Sequence, residues 1–159
     1  MKKLLTSIVL LLSITGCTQI PIAEKDNGDL QKVTSFEASE KYGVMYLYRD
    51  RTSDYPAHEF EIAIGDEDVS TWSSCYKRVE LEPGMYHLEA NHYDTFGFED
   101  ERDYLAVAGQ VDFFEYKPIL RFGVPGETKI IPKTREEAVE IIKKQQLCPN
   151  PPAFVKLSD

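Results

Sequence analysis

Residues 76–93, YKRVELEPGMYHLEANHY, decide the fold class, because they hold two strand patterns and the turn between them. In YKRVEL and in MYHLEANHY, apolar and polar side chains alternate with the period of two that indicates a half-buried strand. Between them, Pro83 fixes φ at the first central position of a type II turn, and Gly84 supplies the positive φ at the second. The stretch therefore predicts two strands paired as a hairpin.

The rest of the chain adds five strand patterns and one helical pattern. EFEIAI (59–64) alternates in the same way, and the other strand patterns cover residues 44–48, 104–107, 110–122 and 128–131. Thr134 and Glu137 form a capping-box pattern before apolar residues at helical spacing, so one amphipathic helix is expected over 134–147. We therefore predict a mainly β fold, an antiparallel β-sandwich of about seven strands with one C-terminal amphipathic helix.

The N-terminus has the three-part layout of a bacterial export signal. Two lysines precede the apolar run LLTSIVLLL, which is much shorter than the roughly 18 residues of a membrane span. Ile14-Thr15-Gly16-Cys17 resembles the lipobox of bacterial lipoproteins, which implies cleavage before Cys17 and lipidation of that cysteine. An ordinary secretory signal with a chance cysteine is the alternative. Thr18, where an inner-membrane lipoprotein often has Asp, suggests the outer membrane by analogy.

These patterns divide the chain into four parts. We expect a cleaved signal peptide over 1–16, and a lipid anchor with a flexible tether over 17–41, including a short helical turn near 29–37. The β-sandwich domain with its helix is expected over 42–148. An extended tail, 149–159, begins at the proline-rich sequence that ends the helix.

Charge and cysteine content limit the partners and the compartment. Without residues 1–16 the chain has 16 Lys and Arg against 27 Asp and Glu, a formal net charge of −11. This charge disfavours nucleic acid and anionic phospholipid surfaces as partners. Cys75 and Cys148 are the two cysteines left for an oxidising compartment, where an even number indicates a disulfide. Two buried thiols are the alternative.

Two motifs together resemble a family of small bacterial lipoproteins with a domain of unknown function, DUF2846. They are MYLYR (45–49) and LEPGMYHL (81–88), and AGQ (108–110) before the aromatic strand FFEY (113–116) is similar to a later element of that family. The resemblance covers roughly residues 42–147, but residues 60–75 depart from the family pattern. It implies a lipoprotein sandwich without known catalysis and supplies no site residues.

A search for catalytic and metal-binding patterns gives no candidate. His58, His87 and His92 lack zinc-ligand spacing, and His87 and His92 would face opposite sides of one regular strand. No nucleophile elbow, P-loop or dinucleotide motif is present. The acidic clusters 65–68 and 98–103 lack the spacing of an EF-hand and are expected to be solvated turns. We therefore expect no catalytic residue, no metal and no cofactor.

Aromatic residues in the segment YDTFGF (93–98) give the one candidate binding surface. Tyr93, Phe96 and Phe98 lie beside Gly97 in a predicted loop, where aromatic side chains are harder to bury than in a strand. The alternative is that they form the core and rim of the sandwich, which use many aromatic residues.

These observations favour a membrane-anchored, non-enzymatic binding or structural module of the cell envelope. Its expected partners are the membrane, through the lipid, and an envelope protein. Three alternatives remain at this point: a membrane-tethered hydrolase acting on envelope glycan or peptide, an accessory lipoprotein of a secretion system, and a mainly structural or stress-related lipoprotein. Convergent carboxylates in a cleft or a Ser–His contact would favour the hydrolase, and an aromatic surface would favour the binding module.

Overall fold

The computed structural model describes residues 30–92, 97–148 and 154–157. Within these ranges the chain forms two helices and ten strands. The helices are α1 (Leu30–Ser35) and α2 (Arg135–Ile142). The strands are β1 (Gly43–Tyr48), β2 (Phe60–Ile64), β3 (Glu67–Thr71), β4 (Cys75–Leu81), β5 (Gly84–Ala90), β6 (Asp100–Ala106), β7 (Val111–Ile119), β8 (Glu127–Lys133), β9 (Gln146–Leu147) and β10 (Phe154–Leu157).

The strands form two sheets that pack face to face, which confirms the predicted β-sandwich. Sheet A has the order β10-β4-β1-β7-β8, with β9 also beside β4, and sheet B has the order β3-β2-β5-β6. Sheet B is antiparallel throughout, as expected. Sheet A is mixed, because β1 runs parallel to β7, and β9 and β10 run parallel to β4.

Two hydrophobic cores explain why sheet A is buried on both faces. The first core lies between the sheets and includes Met45, Leu47, Ile62, Val79, Leu88 and Tyr116. The second lies on the outer face of sheet A, under α1 and α2, and includes Val33, Phe36, Tyr46, Phe113, Ala138 and Ile142. Every residue of β1 and β4 is therefore buried, including charged ones.

The predicted hairpin over residues 76–93 is wrong. β4 lies in sheet A and pairs with β1, whereas β5 lies in sheet B and pairs with β2 and β6. Glu82 and Pro83 thus connect the two layers of the sandwich, and Gly84 does not have the positive φ of a type II turn. Alternation shows only that each strand has one face toward a core. β4 meets this condition in sheet A and β5 meets it in sheet B, so the pattern does not require the two strands to pair.

Several element boundaries also differ from the prediction. The first residues of β3 were expected to be part of the turn over 65–68. β6 begins inside the acidic cluster 98–103, which was also expected to be a turn. β9 and β10 were not expected. The helix α2 ends at Ile142 rather than at residue 147. Its capping box is confirmed, since the Thr134 hydroxyl accepts from Glu137 N and the Glu137 carboxylate accepts from Thr134 N.

The folded domain begins before residue 42, inside the segment expected to be a tether. Val33 and Phe36 are buried, and the Val33 carbonyl accepts a hydrogen bond of 2.9 Å from the Tyr46 hydroxyl. Arg78 donates to the carbonyl of Glu37 at 2.7 Å, so a buried charge of β4 also holds this segment. Residues 17–29 lie outside the described ranges.

Buried charges in β4 point to both sides of sheet A. Arg78 pairs with Glu80 at 2.9 Å, and Glu80 also receives the Lys32 ammonium of α1 at 2.8 Å. Lys77 faces sheet B, where it donates to the Ser70 hydroxyl at 3.2 Å. Burial lowers the pKa of the Lys77 ammonium to about 8, because a charged amine loses its hydration there.

The C-terminal segment is attached to sheet A in two ways. Cys75 and Cys148 are bonded, with their Cα atoms 4.9 Å apart, as the cysteine count predicted. The tail expected over 149–159 contributes β10, whose residues Phe154–Leu157 pair with Arg78–Leu81. The bridge and the strand together cover the outer edge of β4.

Candidate functional site

Three long loops meet at one end of the sandwich, here called the loop end. β1 and β7 are parallel, so both finish at this end, at Tyr48 and Ile119. The segments 49–59 and 120–126 are therefore neighbours, and Leu120 N donates to the Asp54 carboxylate at 2.8 Å. The segment after β5 also reaches this end, because the Asn91 carbonyl accepts from the Tyr116 hydroxyl of β7. The opposite end, where β1 begins at Gly43, is called the entry end.

Arg49 organises the first of these loops from inside the protein. Its guanidinium is fully buried and donates to the carbonyls of His58 at 2.7 Å, Tyr55 at 2.9 Å and Asp54 at 3.2 Å. It also lies 4.8 Å from the centre of the Phe60 ring, which supplies a cation–π contact. Burial lowers the pKa of Arg49 to about 10, so the group remains cationic at neutral pH. One side chain thereby fixes the shape of residues 50–59.

His92 joins all three loops. Its ring is nine-tenths buried and makes edge-to-face contacts with Tyr55 and Phe60, at centroid distances of 6.0 and 5.9 Å. A methyl group added at Gly126 would lie 2.5 Å from Nε2, and one added at Gly97 would approach Nδ1 even more closely. Neither glycine has a positive φ, so both are needed for close approach to the imidazole rather than for backbone conformation.

Beyond His92, four apolar side chains project into solvent from two of the loops. We call Phe98, Leu120, Phe122 and Val124 the apolar tip. Phe122 is fully exposed, and each of the others is more than half exposed. Phe98 is held against the start of β8, since its N–H donates to the Gly126 carbonyl at 2.9 Å and its carbonyl accepts from Thr128 N at 2.9 Å. Exposed apolar groups clustered in this way mark interaction surfaces.

Charges close to the apolar tip largely cancel. The Arg121 guanidinium lies 5.9 Å from the centre of the Phe98 ring and pairs with Glu127. Glu127 also receives the Lys129 ammonium at 2.9 Å. The tip is therefore more neutral than expected for a chain of net charge −9. Low local charge makes it cheaper to remove this surface from water.

Beside the tip, the structure has a cleft of about 280 Å³ lined by Glu59, Phe60, Glu61, Asn91 and His92. Glu59 and Glu61 are exposed, while Phe60 and His92 are buried. The backbone N–H of His92 donates to the Glu99 carboxylate at 3.1 Å, which fixes the start of the 91–99 segment. The cleft thus shares its buried wall with the support of the apolar tip.

A second exposed apolar group lies at the entry end, on the outer face of sheet B. Met85 and Leu105 are directly opposite each other in β5 and β6, and Val107 follows two residues after Leu105. Met85 is 63% exposed, Leu105 54% and Val107 40%. Farther toward the loop end, the same face becomes charged, with His87 opposite Asp103 and Glu89 opposite Glu101.

The predicted site residues have different outcomes. Cys17, Tyr93 and Phe96 lie outside the described residues. Phe98 is exposed and belongs to the apolar tip, although the sequence did not identify the other three tip residues. Leu120 and Phe122 had been included in a predicted strand over 110–122, but β7 ends at Ile119. The turn at Gly123, which has a positive φ, is the sequence signal that could have separated these residues from the strand.

The histidines do not converge. His58 is exposed in the first loop, and His92 is buried below the tip. His87 is on the outer face of sheet B, 3.2 Å from the Asp103 carboxylate and 3.7 Å from that of Glu101. Among the described residues, no group of three or more His, Cys, Asp or Glu side chains could hold a metal ion. Of the cluster 65–68, only Gly65 and Asp66 form the turn between β2 and β3, while Glu67 and Asp68 begin β3, and residues 100–103 of the second cluster belong to β6.

Comparison with known proteins adds no identification, since no family model and no curated protein matches the chain. No helix within the described ranges is both long enough and apolar enough to cross a membrane.

Proposed function

We propose that the protein is a lipid-anchored, non-enzymatic lipoprotein of the bacterial cell envelope, placed in the outer membrane, that binds another envelope protein through the apolar tip. The single observation that carries this proposal is the cluster of Phe98, Leu120, Phe122 and Val124 in solvent at the loop end. The lipobox-like sequence before Cys17 supports the anchor, and the resemblance to the small lipoprotein family agrees with it.

The position of α1 supports a tip directed away from the anchor. Lys32 of α1 pairs with Glu80, which is opposite Val44 near the entry end. Twelve residues separate Cys17 from Leu30, and the tether expected from the sequence would span roughly 20 Å root-mean-square. β7 alone, with its nine residues, is roughly 30 Å long. The loop end is thus presented to a partner rather than to the bilayer that holds the lipid.

The energetics fit a partner that is itself held in the envelope. Burying one large apolar side chain contributes about 1.5–3 kcal/mol, so the four tip residues contribute on the order of 6–12 kcal/mol before costs. Association of two free proteins costs about 4–15 kcal/mol. The tip alone would therefore bind weakly in dilute solution. Confinement of both proteins to one membrane lowers that cost by raising the effective concentration.

Photocrosslinking in living cells tests this proposal. Benzoylphenylalanine replaces Phe122 in the tip, and in a matched variant it replaces Met85, which is the most exposed apolar residue of the entry-end group. We expect a discrete crosslinked protein from position 122 that is absent from position 85. The same product should decrease when Cys17→Ser removes the lipidation site. No product from position 122, or identical products from both positions, would exclude the tip as the binding surface.

A further inference from the structure

We infer that Met85, Leu105 and Val107 form a surface that rests on the bilayer to which the protein is anchored. This inference rests on the proposed lipid anchor, and it assigns a role to residues that the proposed partner contact does not use. Met85 and Leu105 are a directly opposed cross-strand pair, and the exposed Val107 follows two residues after Leu105, just past the end of β6. We call these three exposed apolar side chains the entry-end patch.

The patch borders the segment that connects α1 to β1. A methyl group added at Gly43 would lie 3.0 Å from the backbone nitrogen of Val107, so the patch borders the start of β1. Gly109 N donates to the carbonyl of Ser39 at 2.8 Å, which ties the turn after Val107 to the segment that follows α1. The chain that leads from Cys17 thus reaches the domain near the entry end through α1, which packs on the outer face of sheet A, while the patch lies at the same end on sheet B.

The charge distribution along this face favours a bilayer as the occupant. Toward the loop end, Met85 is followed on the outer face by His87 and Glu89, and Leu105 is preceded by Asp103 and Glu101. The face therefore changes from apolar to acidic over four residues of each strand. An apolar end next to the anchor can enter the headgroup region, while the acidic end stays in water. Lys41 and Glu40, both exposed in the neighbouring segment, add no net charge.

A weak contact between the patch and the bilayer is sufficient to orient the domain. The lipid already confines the domain to the membrane, so the patch does not have to overcome the cost of association from solution. A tenfold preference for the patch-down orientation corresponds to about 1.4 kcal/mol. Moving one fully exposed large apolar side chain out of water contributes more free energy than this preference requires. The patch would orient the domain and direct the apolar tip toward a partner.

Quenching of tryptophan by brominated lipids tests the inference. Trp72 is the one tryptophan of the chain, so Trp72→Phe provides a background without that fluorophore. Leu105→Trp then reports on the patch, and Phe122→Trp is the matched probe at the loop end. The mature chain is coupled through Cys17 to a maleimide lipid in phosphatidylcholine vesicles, with or without bromine on the acyl chains near the headgroup. This coupling holds the domain on the vesicle whether or not cells lipidate Cys17.

We expect bromine to quench Leu105→Trp at least about threefold more than Phe122→Trp, and Met85→Asp to reduce the quenching of Leu105→Trp. Equal quenching at both positions would overturn the inference. A blue-shifted Leu105→Trp emission without bromine quenching would also overturn it, because a second copy or another protein would then cover the patch. The intact mass of the protein extracted from cells separately shows whether the lipid is attached. A missing lipid with patch-specific quenching would therefore contradict the proposed function alone.

Discussion

Substitution of Gly126 tests whether His92 fixes the loop end as the structure indicates. In Gly126→Ala, the new methyl carbon would lie 2.5 Å from Nε2 and 2.9 Å from Cε1 of His92. Ordinary contacts of such atoms are about 3.5–4.0 Å, so the imidazole must move by roughly 1 Å. It has little room, because Gly97 lies against its other nitrogen and the Tyr55 and Phe60 rings lie beside it.

The expected loss of stability follows from this confinement. Overpacking of a well-packed region costs about 1–3 kcal/mol, and with both sides of the ring blocked we expect Gly126→Ala to lie at the upper end. His92→Ala removes the ring and should cost about 2–3 kcal/mol through the cavity that it leaves. In the His92→Ala background, Gly126→Ala should cost less than about 0.5 kcal/mol, since the methyl group then occupies vacated space.

Urea unfolding of the four proteins, with the disulfide intact and followed by far-UV circular dichroism, gives the coupling energy directly. We expect the two substitutions to interact by about 2 kcal/mol. Gly123→Ala is the matched control. Gly123 has a φ of +76°, and an added methyl group would meet no atom within 4 Å. Its cost should therefore be backbone strain that adds independently to His92→Ala. Simple additivity of Gly126→Ala and His92→Ala would refute the argument that the imidazole makes glycine necessary at position 126.

Two further predictions concern buried charges. Because burial lowers the pKa of Lys77 to about 8, the unfolded chain holds this proton to higher pH than the folded protein does, so the contribution of Lys77 to the free energy of unfolding should increase between pH 8 and 10 by about 1 kcal/mol per pH unit, while buried tyrosines with a raised pKa, such as Tyr76, act in the opposite direction near pH 10. Lys77→Met should remove this increase in urea unfolding measured across that range, and an unchanged slope would contradict the assignment to Lys77. Arg49→Met leaves the carbonyls of Asp54, Tyr55 and His58 without this donor, so we expect a loss of about 3 kcal/mol and faster proteolysis within 50–59. Limited proteolysis of Arg49→Met beside Arg51→Met, which changes an exposed arginine of the same loop, would show whether the effect is specific.

Local sequence patterns predicted the type of most elements but not their partners. The alternation in YKRVEL and MYHLEA correctly indicated two strands around Pro83. The predicted pairing of these strands was wrong. Alternation shows that each strand has a face toward a core, but it does not show to which sheet the strand belongs. The Thr134–Glu137 capping box was predictable because it depends on residues three positions apart.

Features that depend on distant parts of the chain could not be predicted in this way. Lys77, Arg78 and Glu80 look like exposed residues in the sequence, yet they are buried because sheet B covers one side of β4 and α1 covers the other. The relation of Gly97 and Gly126 to His92 is likewise visible only when three loops have come together. The apolar tip was identified through Phe98 alone, since Leu120 and Phe122 continue a strand-like pattern beyond the true end of β7.

The place of β10 at the margin of sheet A has a consequence for the order of events during biosynthesis. β1 is among the first strands to be made, but its two neighbours, β4 and β7, follow much later, and the outer edge of β4 is covered last, by residues 146–147 and 154–157. A sheet built from such distant pairings forms slowly compared with one built from adjacent hairpins. The chain therefore cannot complete its central sheet before residues 154–157 have emerged from the ribosome.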